Sequence, residues 1–269
     1  MRKDYLPVSA EEAAKAEPAF VEGYWTEQWR DRTLQESAIR QVPAADEARV
    51  IAPYLAHLSR GSKILDGGCG LGEWVMYYAS QGFNVTGLDL SRETVDRLRQ
   101  TYPDQEFIAG DIRSTGFPDN AFDAYFSWGT FEHFEEGLGG CLEEAARIVR
   151  PGGLLFISVP FQNMRHLIRD RGPLPTWDDN FRGSRGYSEA MRFYQWRLSK
   201  SELTRELELH GFRCAKVATI HADQGVSRML RLDFKIRNPL AVRYLGAGLR
   251  RLLPGDVAAH MILAVGERR

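Results

Sequence analysis

Ile64-Leu65-Asp66-Gly67-Gly68-Cys69-Gly70-Leu71-Gly72-Glu73-Trp74 reads as three pieces in succession. Ile64 and Leu65 close a short buried strand, Asp66 stops it, and a helix starts at about Glu73 beyond a glycine-dense turn. Gly68, Gly70 and Gly72 fall on alternate positions. Glycine in such a turn permits positive φ and lets a ligand approach the backbone closely. The helix that follows directs its first N–H groups at whatever sits there. At the carboxyl end of a strand in an open α/β sheet, the natural occupant is a nucleotide-type cofactor. The dinucleotide fingerprint G-x-G-x-x-G requires a further glycine three residues after its second. Counting from Gly68 and Gly70 puts Glu73 there, and counting from Gly70 and Gly72 puts Val75 there. Neither register fits, and a glutamate facing a pyrophosphate would be repelled.

Outward from this turn the chain alternates strands and helices. Residues 74–80 continue the helix, and Gly82 is placed as its C′ residue. Residues 83–88 form a second buried strand ending at Asp89. An acidic residue about 20 positions past the glycine turn is placed to accept both ribose hydroxyls of a nucleoside. Ser91 caps a helix that reaches about Tyr102, before Pro103. A third strand, 106–109, precedes Gly110-Asp111-Ile112, and a fourth, 122–127, precedes Trp128, Gly129 and Thr130-Phe131-Glu132-His133-Phe134. Helix 141–149 leads through the turn Arg150-Pro151-Gly152-Gly153 into a fifth strand, 154–159. Ser199-Lys200-Ser201-Glu202 is a capping-box sequence, Leu203 and Leu207 form a stripe behind it, and Gly211 is a C′ residue. Residues 212–220 and 260–265 read as a sixth and a seventh strand. Such alternation makes an α/β, Rossmann-like, doubly wound sheet.

Asp66-Gly67-Gly68-Cys69-Gly70-Leu71-Gly72 follows the pattern D-x-G-x-G-x-G. Together with Asp89 and Gly110-Asp111-Ile112 in the same order, it resembles the class I S-adenosylmethionine-dependent methyltransferases, type 11-like, over residues 49–160. The resemblance implies a seven-stranded sheet of order 3-2-1-4-5-7-6 with the last strand antiparallel. It implies S-adenosylmethionine as cofactor and S-adenosylhomocysteine as product. Asp66, Gly67, Gly68 and Gly70 would then surround the cationic methionine tail, and Asp89 and Leu90 the ribose. Asp111 would accept from the adenine amino group, Ile112 would pack on the ring, and Ser127 would lie beside the cofactor.

Composition bounds the partners. Lys and Arg number 35 against 36 Asp and Glu, a net charge of −1, so no global field attracts nucleic acid and none is expected as a partner. The three cysteines are widely spaced and match neither a disulfide framework nor a metal site. No apolar run has the length of a membrane span and residues 1–20 lack a signal-peptide core, so a cytoplasmic address is expected.

Three additions flank the core, which is read as a methyltransferase domain over 46–269. Residues 1–45 form an N-terminal helical cap segment carrying Phe20, Tyr24, Trp25 and Trp29. Packing is the plain role for these aromatics. In the family it resembles, such a helix often closes over the methionine end of the cofactor, which makes Tyr24, Trp25 and Arg49 contacts there. The cap insertion 161–198 mixes Arg165, His166, Arg169, Arg171 and Arg185 with Trp177, Phe181, Tyr187, Phe193, Tyr194 and Trp196. Long insertions at this sheet edge cover active sites or bind substrate, and this lining suits an anionic or aromatic small-molecule acceptor. A shielding subdomain is the alternative. The basic excursion 222–259 interleaves Arg228, Arg231, Lys235, Arg237, Arg243, Arg250 and Arg251 with leucines, against Asp233 alone between 228 and 251. That pattern suits peripheral membrane contact through 228–253 or a phosphorylated ligand. The alternative is a helical excursion packed on the domain with its arginines solvated.

The chemistry asks for alignment, desolvation and, for a hydroxyl acceptor, loss of a proton. His133, just past the fourth strand, is the leading base, with His166 and Tyr194 behind it and Glu132 as an orienting neighbour. A purely structural His133 is the competing reading. No Asn/Asp-Pro-Pro-Tyr/Phe follows the fourth strand, where Ser127-Trp128-Gly129-Thr130 stands, which disfavours base or glutamine amides as acceptors. No carboxylate cluster suggests a metal. An oxygen of a sugar, lipid-linked glycan or secondary metabolite is the expected acceptor. N- or C-methylation of a small molecule and a catalytically inactive, cofactor-binding regulator remain alternatives. An NAD oxidoreductase is disfavoured by the failed fingerprint.

Overall fold

The computed structural model describes residues 1–169 and 190–269. In chain order its strands are β1 (Arg2–Val8), β2 (Lys63–Gly67), β3 (Asn84–Asp89), β4 (Glu106–Ala109), β5 (Phe122–Trp128), β6 (Val149–Pro160), β7 (Ala190–Arg197), β8 (Phe212–Ile220) and β9 (Met261–Arg268). One sheet has seven strands in the order β4-β3-β2-β5-β6-β9-β8. The pairings from β4 across to β6 are parallel, and β9 runs antiparallel to both β6 and β8. Counting only these strands, this is the expected 3-2-1-4-5-7-6 with its antiparallel last strand. The central strands are apolar on both faces because helices cover both. Side-chain alternation divides them: Leu65, Tyr125, Leu155 and Ile157 enter one core, Ile64, Ala124, Phe126 and Phe156 the other.

The helix ends follow local chemistry. The Ser91 hydroxyl accepts from Thr94 N–H at the start of Arg92–Thr101, and Ser199 with Glu202 closes a capping box on Lys200–Leu209. One expected turn is absorbed by a strand. Arg150-Pro151-Gly152-Gly153 lies inside β6, and the register between β5 and β6 shifts between Phe122 and Ala124 to accommodate it.

The N-terminal segment, expected to be helical, opens on a strand. β1 pairs antiparallel with β7 in a separate two-stranded sheet, from Arg2↔Arg197 to Val8↔Ala190. The helices Ala10–Ala14, Glu17–Arg30 and Glu36–Gln41 come after it. Its partner lies far along the chain, so local pattern does not reveal the pairing. Of the cap insertion, Arg171, Trp177, Phe181, Arg185 and Tyr187 lie outside the described residues.

The excursion is helical, with Ala222–Arg228, Pro239–Leu252 and Gly255–Ala258 joined through a wide turn at Met229–Asp233. It has its own small core of Val226, Met229, Leu230, Val242 and Ala258. Gly225 makes this packing possible, because a Cβ there would fall 1.8 Å from the Ala258 carbonyl oxygen. Backbone cannot yield as a side chain can. Gly225→Ala is therefore expected to cost about 1–3 kcal/mol or more, as overpacking does, read as a lower midpoint in thermal unfolding. An unchanged midpoint would show that the excursion does not hold this packing.

Candidate functional site

Asp66 and Asp89 stand at the carboxyl ends of the adjacent parallel strands β2 and β3, and Asp111 follows the end of β4. The glycine turn is held between them. Gly68 and Cys69 donate their N–H groups to the Leu88 carbonyl at 2.7 and 3.0 Å. Gly70 N–H donates to Asp89 Oδ2 and Ser91 N–H to Asp89 Oδ1, both at 2.9 Å. Asp89 thus staples the turn to the start of the next helix. Burial pushes its carboxyl up to about 6, opposed by the Ser91 and Gly70 N–H groups.

Asp66 is buried, and its Oδ1 has no hydrogen-bond partner among the described residues. Burial, reinforced by the charges of Glu73 and Asp89, raises its carboxyl well above the usual range. A buried carboxyl without a partner is costly, and a cationic group beside it would relieve that cost. Asp111 is differently placed. Arg113 grips both its oxygens, with Nη2 at 2.8 Å from Oδ2 and Nε at 3.1 Å from Oδ1, and reaches Glu17 Oε1 at 2.9 Å with Nη1.

Gly68, Asp89 and Asp111 edge a pocket roofed by the helix Glu17–Arg30. Val21, Trp25 and Trp29 come from that helix, Gly68, Asp89, Leu90, Gly110, Asp111 and Ile112 from the strand ends, and Trp128 to Thr130, His133 and Phe134 from the far side. Trp25 and Trp29 stack at 5.6 Å between centroids, and Trp25 meets the His133 ring edge-on at 5.1 Å. The roof is tied down by Glu17–Arg113, by Arg97 donating to the Trp29 and Arg30 carbonyls, and by Thr26 bonded to Ser91.

The structure brings Trp25, Gly68, Asp89, Leu90, Asp111, Ile112 and His133 to one pocket. Asp66, Gly67, Gly70 and Ser127 do not line it. Ser127 is fully buried, with its Oγ unpartnered among the described residues. Gly70 lies beneath Trp29, whose Cζ2 would be 3.2 Å from an added Cβ, so its missing side chain leaves room for the indole while its positive φ serves the tight turn. Arg49 bonds Asp46 and the Ala44 carbonyl instead of the pocket. Arg113 and Thr130 carry no sequence signal that marks them. Trp29 shares with Trp25 a spacing that suits one helix face, and that was its only cue.

His133 Nδ1 donates to the Tyr194 carbonyl at 2.7 Å, a tautomer assigned from that partner. Burial pushes the imidazole down to about 4, opposed by the carbonyls of Tyr194 and Gly129. Nε2 lies 4.0 Å from Glu132 Oε1, and burial pushes that carboxyl up to about 8. Both groups are therefore neutral near pH 7.

Behind His133 and Tyr194 lies a second cavity of about 770 Å³ between β1, β7 and the excursion. Arg165, Arg197, Arg228, His166, His260 and Tyr194 are among its walls. Asp233 pairs with Arg165 and Asp4 with Arg197, whereas Arg228 makes no ion pair among the described residues. Burial, reinforced by the charges of Arg228, His221 and Arg165, pushes His260 down to about 4. The His133–Tyr194 bond, and Trp196 Nε1 donating to the Phe134 carbonyl at 3.0 Å, form the partition between the two spaces.

The Methyltransferase domain family matches residues 65–157, the span from β2 to β6 that carries all three aspartates. The methyltransferase likeness in sequence is thus carried by residues 65–157. A malonyl-[acyl-carrier protein] O-methyltransferase of Pectobacterium atrosepticum is 35% identical over 107 residues, 40% of this chain and 41% of that protein. A "Probable S-adenosylmethionine-dependent methyltransferase" of Mycolicibacterium smegmatis is 26% identical over 180 residues, 67% of this chain and 63% of that protein. The chain thus spans less than two thirds of the length of each. The solved geranyl diphosphate C-methyltransferase of Streptomyces coelicolor A3(2) superposes with a TM-score of 0.60 over 95% of this chain and all of that one, at 14% identity. The fold shared with that structure thus covers 95% of the chain, whereas the family match covers residues 65–157.

Proposed function

We propose that the protein is an S-adenosylmethionine-dependent methyltransferase acting on a small molecule that bears an anionic group. The observation that supports this most is the array of Asp66, Asp89 and Asp111 around the glycine turn, with Asp66 buried and lacking a partner for Oδ1 among the described residues. Asp66 holds the cationic end of the cofactor, Gly67, Gly68 and Gly70 pass its tail, Asp89 and Leu90 hold the ribose, and Asp111 and Ile112 the adenine. Trp25 closes the pocket from above, and Ser127 supports its floor. The bound sulfonium supplies a methyl group already activated for in-line displacement. The chain's own task is then to align the acceptor and exclude water, which supplies up to about 7–11 kcal/mol of barrier reduction.

The basic cavity supports the anionic acceptor: it lies behind His133 and presents Arg228 without an ion pair among the described residues. An oxygen acceptor remains the preferred reading, with His133 as its base. Calorimetry with S-adenosylhomocysteine and with NAD tests the cofactor, and only the first should bind. Methyl-labelled cofactor incubated with fractionated host metabolites tests turnover, with label expected in anionic fractions. Binding without any labelled product would leave a cofactor-binding regulator. On the acceptor so recovered, Arg228→Glu is expected to raise KM about 10–100-fold, the worth of a hydrogen bond to a charged group. Affinity for S-adenosylhomocysteine should not change.

A further inference from the structure

The helix Pro239–Leu252 is seated on the excursion by Val242, with Leu249 and Leu253 partly buried beside it. A surface helix ordinarily turns a polar face away from its core. This one does so only in part. Leu240, Tyr244, Leu245 and Leu252 are 60, 72, 50 and 80% exposed, and Leu232 and Phe234 just upstream are 57 and 64% exposed. Large apolar side chains therefore stand in solvent among Arg243, Arg250 and Arg251, on the part of the helix that does not pack.

Cations surround the outward apolar surface. Residues 228–251 hold seven basic residues and one acidic residue in a chain of net charge −1. Asp233 is taken by Arg165, and Arg250 by Asp223. Arg231, Lys235, Arg237, Arg243 and Arg251 make no ion pair among the described residues. No helix of the described residues is long and apolar enough to cross a membrane; a surface of exposed leucines ringed by cations is of the kind that binds in the plane of a bilayer interface.

We propose that residues 229–252 dock the protein on an anionic membrane surface. The exposed leucines, Phe234 and Tyr244 enter the interfacial layer, and the unpaired arginines meet lipid phosphates. A second copy of the chain fits less well, because it would set the same cations against each other. A neutral apolar groove would cover the leucines and leave those charges unanswered. Arg228 and Leu232 also line the basic cavity, so docking brings that cavity to the lipid surface. The proposal does not depend on the methyl-transfer reading.

Co-sedimentation with vesicles of phosphatidylcholine mixed with phosphatidylglycerol, and with phosphatidylcholine alone, tests it. Binding is expected to the mixed vesicles at low salt, with release at high salt and little binding to phosphatidylcholine. A basic residue at an anionic surface is worth about fivefold in partitioning, so Arg243→Gln with Arg251→Gln should weaken binding about 25-fold. Tyr244→Ser with Leu245→Ser should weaken it as well, without altering S-adenosylhomocysteine affinity in a parallel titration. That titration separates failure of docking from failure of the cofactor reading. The proposal is overturned if the native protein stays in the supernatant with mixed vesicles, or if both variants bind them as tightly as it does. A native dimer that the Tyr244 and Leu245 changes dissociate, without vesicle binding, overturns it in favour of an interface between copies.

Discussion

His133→Gln should lose about 10²–10⁴-fold in turnover, the ordinary worth of a general base, with cofactor affinity nearly unchanged. With Nδ1 committed to the Tyr194 carbonyl, Nε2 keeps the lone pair. Burial holds the imidazole neutral down to about pH 4, so the acid limb of the rate profile is expected near 4 and not at the ordinary value near 6.5. The same shift has a stability consequence. The folded pKa is depressed, so the contribution of this neutral site is complete above about pH 6.5 and is lost as pH falls through about 4. Glutamine retains a polar group beside Trp25 and Tyr194 but is no base near neutral pH. Turnover of His133→Gln close to native would reassign the residue to positioning the partition between the two cavities. An acid limb at 6.5 in the native protein would contradict its burial.

Asp89→Ala should weaken S-adenosylhomocysteine binding by on the order of 10²–10⁴-fold, since each hydrogen bond to a charged group is worth about 1.5–3 kcal/mol and the proposed reading gives Asp89 two ribose hydroxyls. The substitution also frees the Gly70 and Ser91 N–H groups that the carboxylate holds at 2.9 Å. Part of the loss is therefore a slackened glycine turn. Thermal unfolding alongside the titration apportions the two. Because burial raises this carboxyl to about 6, charging it opposes folding above that pH, and the opposition is relieved as pH falls through 6. Ribose donors favour the charged form. Affinity should accordingly fall below about pH 6, by up to about tenfold per unit, with proton release on binding. Unchanged affinity in Asp89→Ala would remove Asp89 from the site.

Local signals in the chain determined the sheet. The first two strands are short apolar runs closed by an acidic residue, at Asp66 and Asp89, and the next two run into glycine turns at Gly110 and Gly129. Two helix starts carry their own caps at Ser91 and Ser199. Period, capping and turn chemistry act over a few residues, so a linear reading reaches them. The acidic positions on the cofactor side were legible for the same reason, since each is tied to the end of a strand.

What the tertiary structure alone decided lies in contacts between distant segments. The pairing of β1 with β7 joins residues 2–8 to 190–197, and no periodicity in either names its partner. Trp29 lies against Gly70, and Arg113 joins Asp111 to Glu17 across the pocket roof. The neutral state of His133 follows from burial under Trp25 and Tyr194, which neighbours in sequence do not report. The outward leucines of Pro239–Leu252 emerge only once Val242 is seen to hold the other side. Pattern along a chain sets which faces must be buried. Only the folded packing sets which of them finds a cover and what charge each buried group keeps.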